Sequence, residues 1–285
     1  MSRSRLVPGA EVVAVPGRNL ALRTPEGEFL HVSTPDGAAR AALLARLTGQ
    51  TDTPADERLA RVLAAFETAG YLRADPPPAP WPAARGNVLL LGDPVLTGPV
   101  AAQLTALGAR PRTADPASAP AGAAADHTDP AGPDHAAVVW CLDGPVPDGL
   151  WDAADRLPER GVAWLRCHRE GWQAYVEPLA ATPGDVTSAH VRARRLAATP
   201  AHRELAAYWS GPRTSGAPVR LTAPAAGLLA ALLADDLHRW ATDGDDPGGI
   251  PARRRLRQVD LRTLTVTERP VLPVPPVAPM SGRAG

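Results

Sequence analysis

Two periodicities divide the first seventy-odd residues. Apolar-rich runs at 12–15, 19–23 and 28–32 are short and are separated by Pro16-Gly17 and by a Pro25–Gly27 turn, which predicts three short strands joined by tight turns. The period then lengthens. Over 36–47 (DGAARAALLARL) and 56–72 (DERLARVLAAFETAGYL) apolar residues recur at three and four, an acid opens each run, and Gly49 and Gly70 fall at or near the ends; both runs are predicted helices.

A proline-dense stretch at 76–84 (PPPAPWPAA) excludes helix and central strand and predicts a stiff extended spacer. Beyond it, 87–91 (NVLLL) reads as a strand buried on both faces, 92–98 as a turn, and 99–107 as a helix closed by Gly108, the opening of a doubly wound sheet. The second strand of such a sheet is not evident, because 111–135 is rich in Ala, Pro, Gly and Asp and has no period. Order returns with a strand at 137–142, a helix near 150–157, and runs at 163–167 and 172–176 that pair as a hairpin around a turn at 168–171. Helices follow at 188–197, 202–209 and 223–242, the last apolar on most sides until Asp235 and so central. A strand at 258–265 precedes a proline-rich tail from 269. The expected organisation is α/β: a small module at 1–75, a linker at 76–86 and a doubly wound domain at 87–285.

Composition narrows the function. Net charge is zero, so there is no electrostatic footprint for nucleic acid or an anionic membrane. All 30 basic residues are Arg and Lys is absent, which excludes a lysine Schiff base, a P-loop lysine and a lysine general base. Cys141 and Cys167 lie in apolar runs and read as buried thiols; His168 is adjacent to the second, but neighbours on a strand point to opposite faces. No apolar run is long enough to span a bilayer and no secretory signal opens the chain, so a cytoplasmic location is expected.

Other candidate chemistry is sparse. The seven histidines show no paired metal-ligand spacing. Asp235-Asp236 and 243–246 read as an acidic helix end and a solvated loop, and Arg253–Arg255 as a basic loop face. Trp140, Trp164 and Trp172 are expected in the core, whereas Trp209 and Trp240 end helices where partial exposure is plausible.

The order of three strands followed by helices in the first module resembles the PqqD-like, winged-helix precursor-recognition element of ribosomal peptide-modifying enzymes. The order LLLGDPVLTGPVAAQLTALGA, AAVVWCLDG, VAWLRCHREGWQAYVEPLAATPG and VDLRTLTVTERPVLPVPP resembles the ThiF-like half of the cyclodehydratase C proteins. These are the Ocin-ThiF-like leader-binding proteins of thiazole/oxazole-modified peptide and thiopeptide pathways. The resemblance implies a leader peptide added as a strand to the edge formed by Phe29, Leu30, His31 and Val32. It would lie against a helix face of Arg58, Arg61, Val62, Ala65 and Phe66, whose two arginines suit an acidic leader. It further implies a YcaO-type heterocyclase as the partner that performs the chemistry, and it leaves a homodimer open.

Departures from the family pattern bear on mechanism. The phosphate turn expected as GxGxxG reads Gly92-Asp93-Pro94-Val95-Leu96-Thr97-Gly98; Pro94 removes an N–H donor where phosphate would approach and Asp93 adds negative charge. Asp115 is the candidate ribose acid, in a stretch without period. Where relatives carry CxxC zinc pairs this chain reads PGDVTSAH and PPVAP, and His190 alone cannot hold zinc. The expectation is therefore a scaffold without catalytic residues, cofactor or metal. An adenylating ThiF-like enzyme that still binds ATP at 92–98 is the alternative, and a winged-helix DNA reader is disfavoured by the neutral charge.

Overall fold

The computed structural model describes residues 4–34, 37–47, 57–74, 80–114, 135–214, 216–244 and 249–275. They fall into two compact units, Met1–Ala79 and Pro80–Gly285.

In the first unit β1 (Ser4–Leu6) precedes an antiparallel meander of β2 (Glu11–Ala14), β3 (Leu20–Arg23) and β4 (Phe29–Val32), then α1 (Gly37–Leu47), α2 (Glu57–Thr68) and β5 (Leu72–Ala74). The meander arises where the Pro-Gly turns put it. Gly17 and Gly27 take left-handed backbone, the conformation that lets a tight turn close without a Cβ clash. Leu20, Leu22 and Val32 on one sheet face meet Leu43 and Leu47 of α1 and Phe66 of α2 in a single core.

The helix read through residue 72 stops earlier. Gly70 is left-handed, Tyr71 N–H reaches back to Phe66 O at 2.8 Å and Gly70 N–H to Glu67 O at 3.0 Å, a Schellman termination. The chain then reverses into β5, which pairs antiparallel with β1. Neither of these strands was anticipated.

The second unit begins inside the stretch read as spacer. Ala83–Arg85 form a 3₁₀ turn, Trp81 is buried and donates its Nε1–H to Arg85 O at 2.9 Å. The proline-rich reading fails here because one buried indole outweighs the extended preference of its neighbours.

A seven-stranded mixed sheet follows, in the order β12-β11-β10-β9-β8-β6-β7. Its strands are β6 (Asn87–Gly92), β7 (Arg110–Ala114), β8 (Ala137–Leu142), β9 (Ala163–Glu170), β10 (Gln173–Val176), β11 (Arg255–Asp260) and β12 (Thr265–Pro270). The first four pair in parallel and the rest antiparallel. The missing second strand is thus present as β7, too polar and too near a proline to be read. The tail strand read at 258–265 is instead the β11–β12 hairpin, turned through left-handed Leu264.

Helices cover both sheet faces. On one, α3 (Pro94–Ala106) and α6 (Ala223–Ala241) bury Leu96, Val100, Leu104, Leu229, Leu233 and Leu237 against the sheet. On the other, Trp151 and Trp164 pack with Val138 and Leu91, beneath a 3₁₀ segment, Ala154–Arg160, in place of the α-helix expected at 150–157. The short α4 (Ser188–Ala197) and α5 (His202–Ser210) lie where the period placed them. Trp172, expected in the core, is 43% exposed at the β9–β10 turn, and Trp209, read as a partly exposed helix end, is buried.

Four arginines, Arg166, Arg169, Arg255 and Arg257, lie in strands and are buried with carboxylate partners. Arg166 donates to Glu177 at 2.8 Å; Arg255 donates to Asp236 at 2.6 Å, and Arg257 to the same carboxylate. Asp236 is therefore a buried counter-charge and not a solvated helix end, and Arg255 is not on a loop face. The arginines hide in the strand pattern because a guanidinium is buried only with its carboxylate, which lies elsewhere in the sequence. No helix among the described residues is long and apolar enough to cross a membrane.

Candidate functional site

The strand expected to receive a peptide, β4, stands at the edge of the three-stranded sheet and pairs only with β3 among the described residues. The hairpin sets which of its backbone groups face outward. Thr24 N–H donates to Glu28 O at 2.8 Å, so the pair 24/28 is hydrogen-bonded, and alternation along an antiparallel ladder makes 22/30 and 20/32 the next bonded pairs. Leu30 and Val32 thus turn their amides and carbonyls toward β3. Phe29 and His31 turn theirs outward.

Side chains divide the opposite way to the expectation that all four residues line one groove. Val32 joins the apolar core, and Leu30 shares its sheet face by the two-residue period. Phe29, 63% exposed, and His31 project from the other face, so they can contribute backbone to an added strand while their side chains stay outside its apolar floor.

On α2 the five named residues also separate. Phe66 is buried in the core with Val32, and Val62 is half-buried against the same cluster. Arg58, Arg61 and Ala65 are exposed, and Arg61 Nε donates to Glu57 O at 3.4 Å, within its own helix. Val62 lies at the boundary between core and surface, and Arg58 and Arg61 flank it at four and one residues' distance.

The turn after β6 has a different occupation. Gly92 is left-handed, and a Cβ there would lie 1.8 Å from Cys141 O on β8, so this glycine serves the close approach of two strands. Asp93 N–H donates to Cys141 O at 2.9 Å, and its Oδ2 accepts from Asp143 N–H at 2.6 Å. Asp143 in turn holds Arg169 at 2.6 Å. Pro94 is the first residue of α3, where a missing N–H costs nothing to the helix. The crevice between the ends of β6 and β8 is laced by the protein's own groups. Asp115 lies outside the described residues.

The thiols are placed as read. Cys141 and Cys167 are fully buried partners on β8 and β9; burial first, then the Asp93 charge, pushes the Cys141 thiol up to about 12, and burial drives Cys167 up as well. His190 completes a capping box at the start of α4, its Nδ1 accepting from Thr187 N–H at 3.2 Å and its N–H donating to Thr187 Oγ1 at 3.3 Å. Among the described residues no group of three His, Cys, Asp or Glu side chains is placed to hold a metal ion.

No protein-family model matches the chain, and no curated protein matches its sequence. Solved structures share its fold. A heterocyclase in complex with substrate and cofactor aligns over 95% of this chain at 13% identity and a TM-score of 0.56. The heterocyclase TruD aligns over 96% at 17% identity and 0.55, and E. coli MccB with MccA-N7isoASN over 96% at 8% and 0.55. The chain spans 38% and 42% of the two heterocyclase chains and 98% of MccB.

Proposed function

We propose that this protein is a leader-binding scaffold, carrying a PqqD-like recognition element, that delivers a ribosomally made precursor peptide to a YcaO-type azoline-forming cyclodehydratase. The observation that supports it most is the β4 edge, which has no partner strand among the described residues, with outward backbone groups at Phe29 and His31 beside the apolar boundary of Val32, Val62 and Phe66. An extended leader added there gains sequence-tolerant ladder bonds from the backbone and side-chain selectivity from the apolar boundary. Arg58 and Arg61 favour acidic residues in it.

A hook of this kind works through effective concentration. Once the leader is held, each modification of the distal core becomes intramolecular, so a modest affinity serves many Cys, Ser or Thr residues.

The competing reading is an adenylating enzyme using the β6 turn, for which a glycine followed by a helix is the expected shape. Against it stand Gly92 filled by Cys141 O, Asp93 engaged with Asp143, and the absence of lysine from the sequence. Titrating the full chain with labelled leader and with ATP separates the two. Saturable leader binding, reduced by Val62→Glu by roughly 1–3 kcal/mol for a charge placed at a half-buried apolar site, together with no ATP binding, is the expected result. ATP binding with leader binding unaffected by Val62→Glu overturns the proposal.

A further inference from the structure

The second unit contains a cavity of about 220 Å³ on the sheet face opposite α3 and α6, between the loop after β8, the ends of β9 and β10, and helices α4 and α5. Its lining shares no residue with the β6 turn or with β4, and the inference drawn from it does not depend on leader binding. Trp151 and Trp209 form aromatic walls, while four carboxylates and two guanidiniums line it.

Those charges are unequally engaged. Glu170 is saturated: it accepts from Arg195 at 2.6 and 3.0 Å and from Trp209 Nε1 at 2.8 Å. Arg195 in turn lies over the Tyr175 ring at 3.9 Å, so neither partner is available. Glu177, whose side chain is 2% exposed, accepts from Arg166 Nε at Oε2, but its Oε1 lies 3.6 Å from His168 Nδ1, beyond hydrogen-bond reach. At the opening, Asp148 is 71% exposed and holds Arg192 at 3.1 Å, with the Arg192 guanidinium 5.0 Å from the centre of the Trp209 ring. Asp152 is also exposed at this rim.

We infer that this cavity accepts a guanidinium or ammonium group on a short apolar stem, carried by a polypeptide side chain or by a free alkyl cation. The stem packs between aromatic walls, and the cation is drawn by Asp148 and Asp152 at the opening and Glu177 within. Arg192 already occupies the Asp148–Trp209 position and is half-buried, so it acts as an internal competitor that an incoming cation displaces.

That competition makes the sign of one mutation decisive. Ethylguanidinium titrated into the full-length protein, followed by the tryptophan indole N–H resonances, should bind saturably, and acetate should not. Asp152→Asn should weaken ethylguanidinium several-fold, whereas Arg192→Ala should tighten it several-fold. Glu177→Gln should weaken it further, its fold checked by melting; should that variant unfold, the two rim variants decide. An acetylated, amidated Gly-Arg-Gly that binds as well as ethylguanidinium identifies a polypeptide side chain as the source, and its exclusion identifies a small free cation. Failure of ethylguanidinium to saturate, or weaker binding in Arg192→Ala, overturns the inference.

Discussion

The sharpest test of the β4 edge is a pair of prolines at adjacent residues. His31 turns its N–H outward and Leu30 turns its own toward β3, as fixed by the Thr24–Glu28 bond. His31→Pro therefore removes one donor from an added strand while leaving the β3–β4 ladder whole, and a proline on an edge strand with its ring toward solvent is tolerated. Loss of one net ladder bond, about 0.5–1.5 kcal/mol, corresponds to a roughly two- to tenfold rise in Kd.

Leu30→Pro acts on the fold instead, since it breaks a bond inside the meander that carries Leu20, Leu22 and Val32. It should lower the melting temperature of the first unit, with binding lost only as folding is lost. The assay is fluorescence anisotropy of a labelled leader, paired with a thermal melt of each variant. If His31→Pro binds normally, or if Leu30→Pro stays folded and alone loses binding, the outward register assigned to Phe29 and His31 is wrong.

Other expectations follow from the second unit. Asp236→Asn leaves the buried Arg255 and Arg257 with only the part-exposed Glu268 as counter-charge and should destabilise the protein by up to roughly 3–5 kcal/mol in a denaturant titration. Gly92→Ala should cost roughly 2–4 kcal/mol, because left-handed backbone and a contact with Cys141 O both oppose a Cβ; an unchanged melting temperature would show that the turn is not held as described. Burial on its own would raise the Glu170 carboxyl, but His168 and Arg195 outweigh it and hold it well below the usual range. The stability it lends is complete above about pH 5 and is lost as pH falls through the depressed value, so Glu170→Gln should flatten the acid limb of the stability curve. Neither Cys141 nor Cys167 should react with a thiol reagent until the protein unfolds, as judged by absorbance at native and denaturing urea.

What the sequence made legible was what local chemistry decides. The meander was readable because Pro16-Gly17 and the Pro25–Gly27 turn punctuate it, and α4 and α6 because their apolar period is local. What depended on distant partners was not. β5 is three residues long and exists only by pairing with β1, at the other end of its unit. β12 is almost wholly exposed, so it carries no apolar signal. Arg166, Arg255 and Arg257 look like surface residues until Glu177 and Asp236 arrive from elsewhere in the chain. At the candidate site the four β4 residues were named correctly as a strand, but which of them offer backbone and which side chain needed the Thr24–Glu28 bond to set the phase.

The β6 turn carries the same lesson into function. A glycine followed by a helix is the shape of a phosphate site, and this chain keeps the shape: Gly92 is left-handed and α3 starts directly after it. A phosphate at such a turn is held by free amides in open space, and here the Asp93 amide and the space beside Gly92 have other partners. The Asp93 amide is bonded to Cys141 O, its carboxylate occupies the amide of Asp143, and the place of a Cβ on Gly92 is filled by the β8 backbone. Each of these contacts joins β6 to β8. Under the proposed reading, the turn now closes the sheet that supports the second unit, and recognition falls to β4, whose outward backbone groups have no partner strand among the described residues.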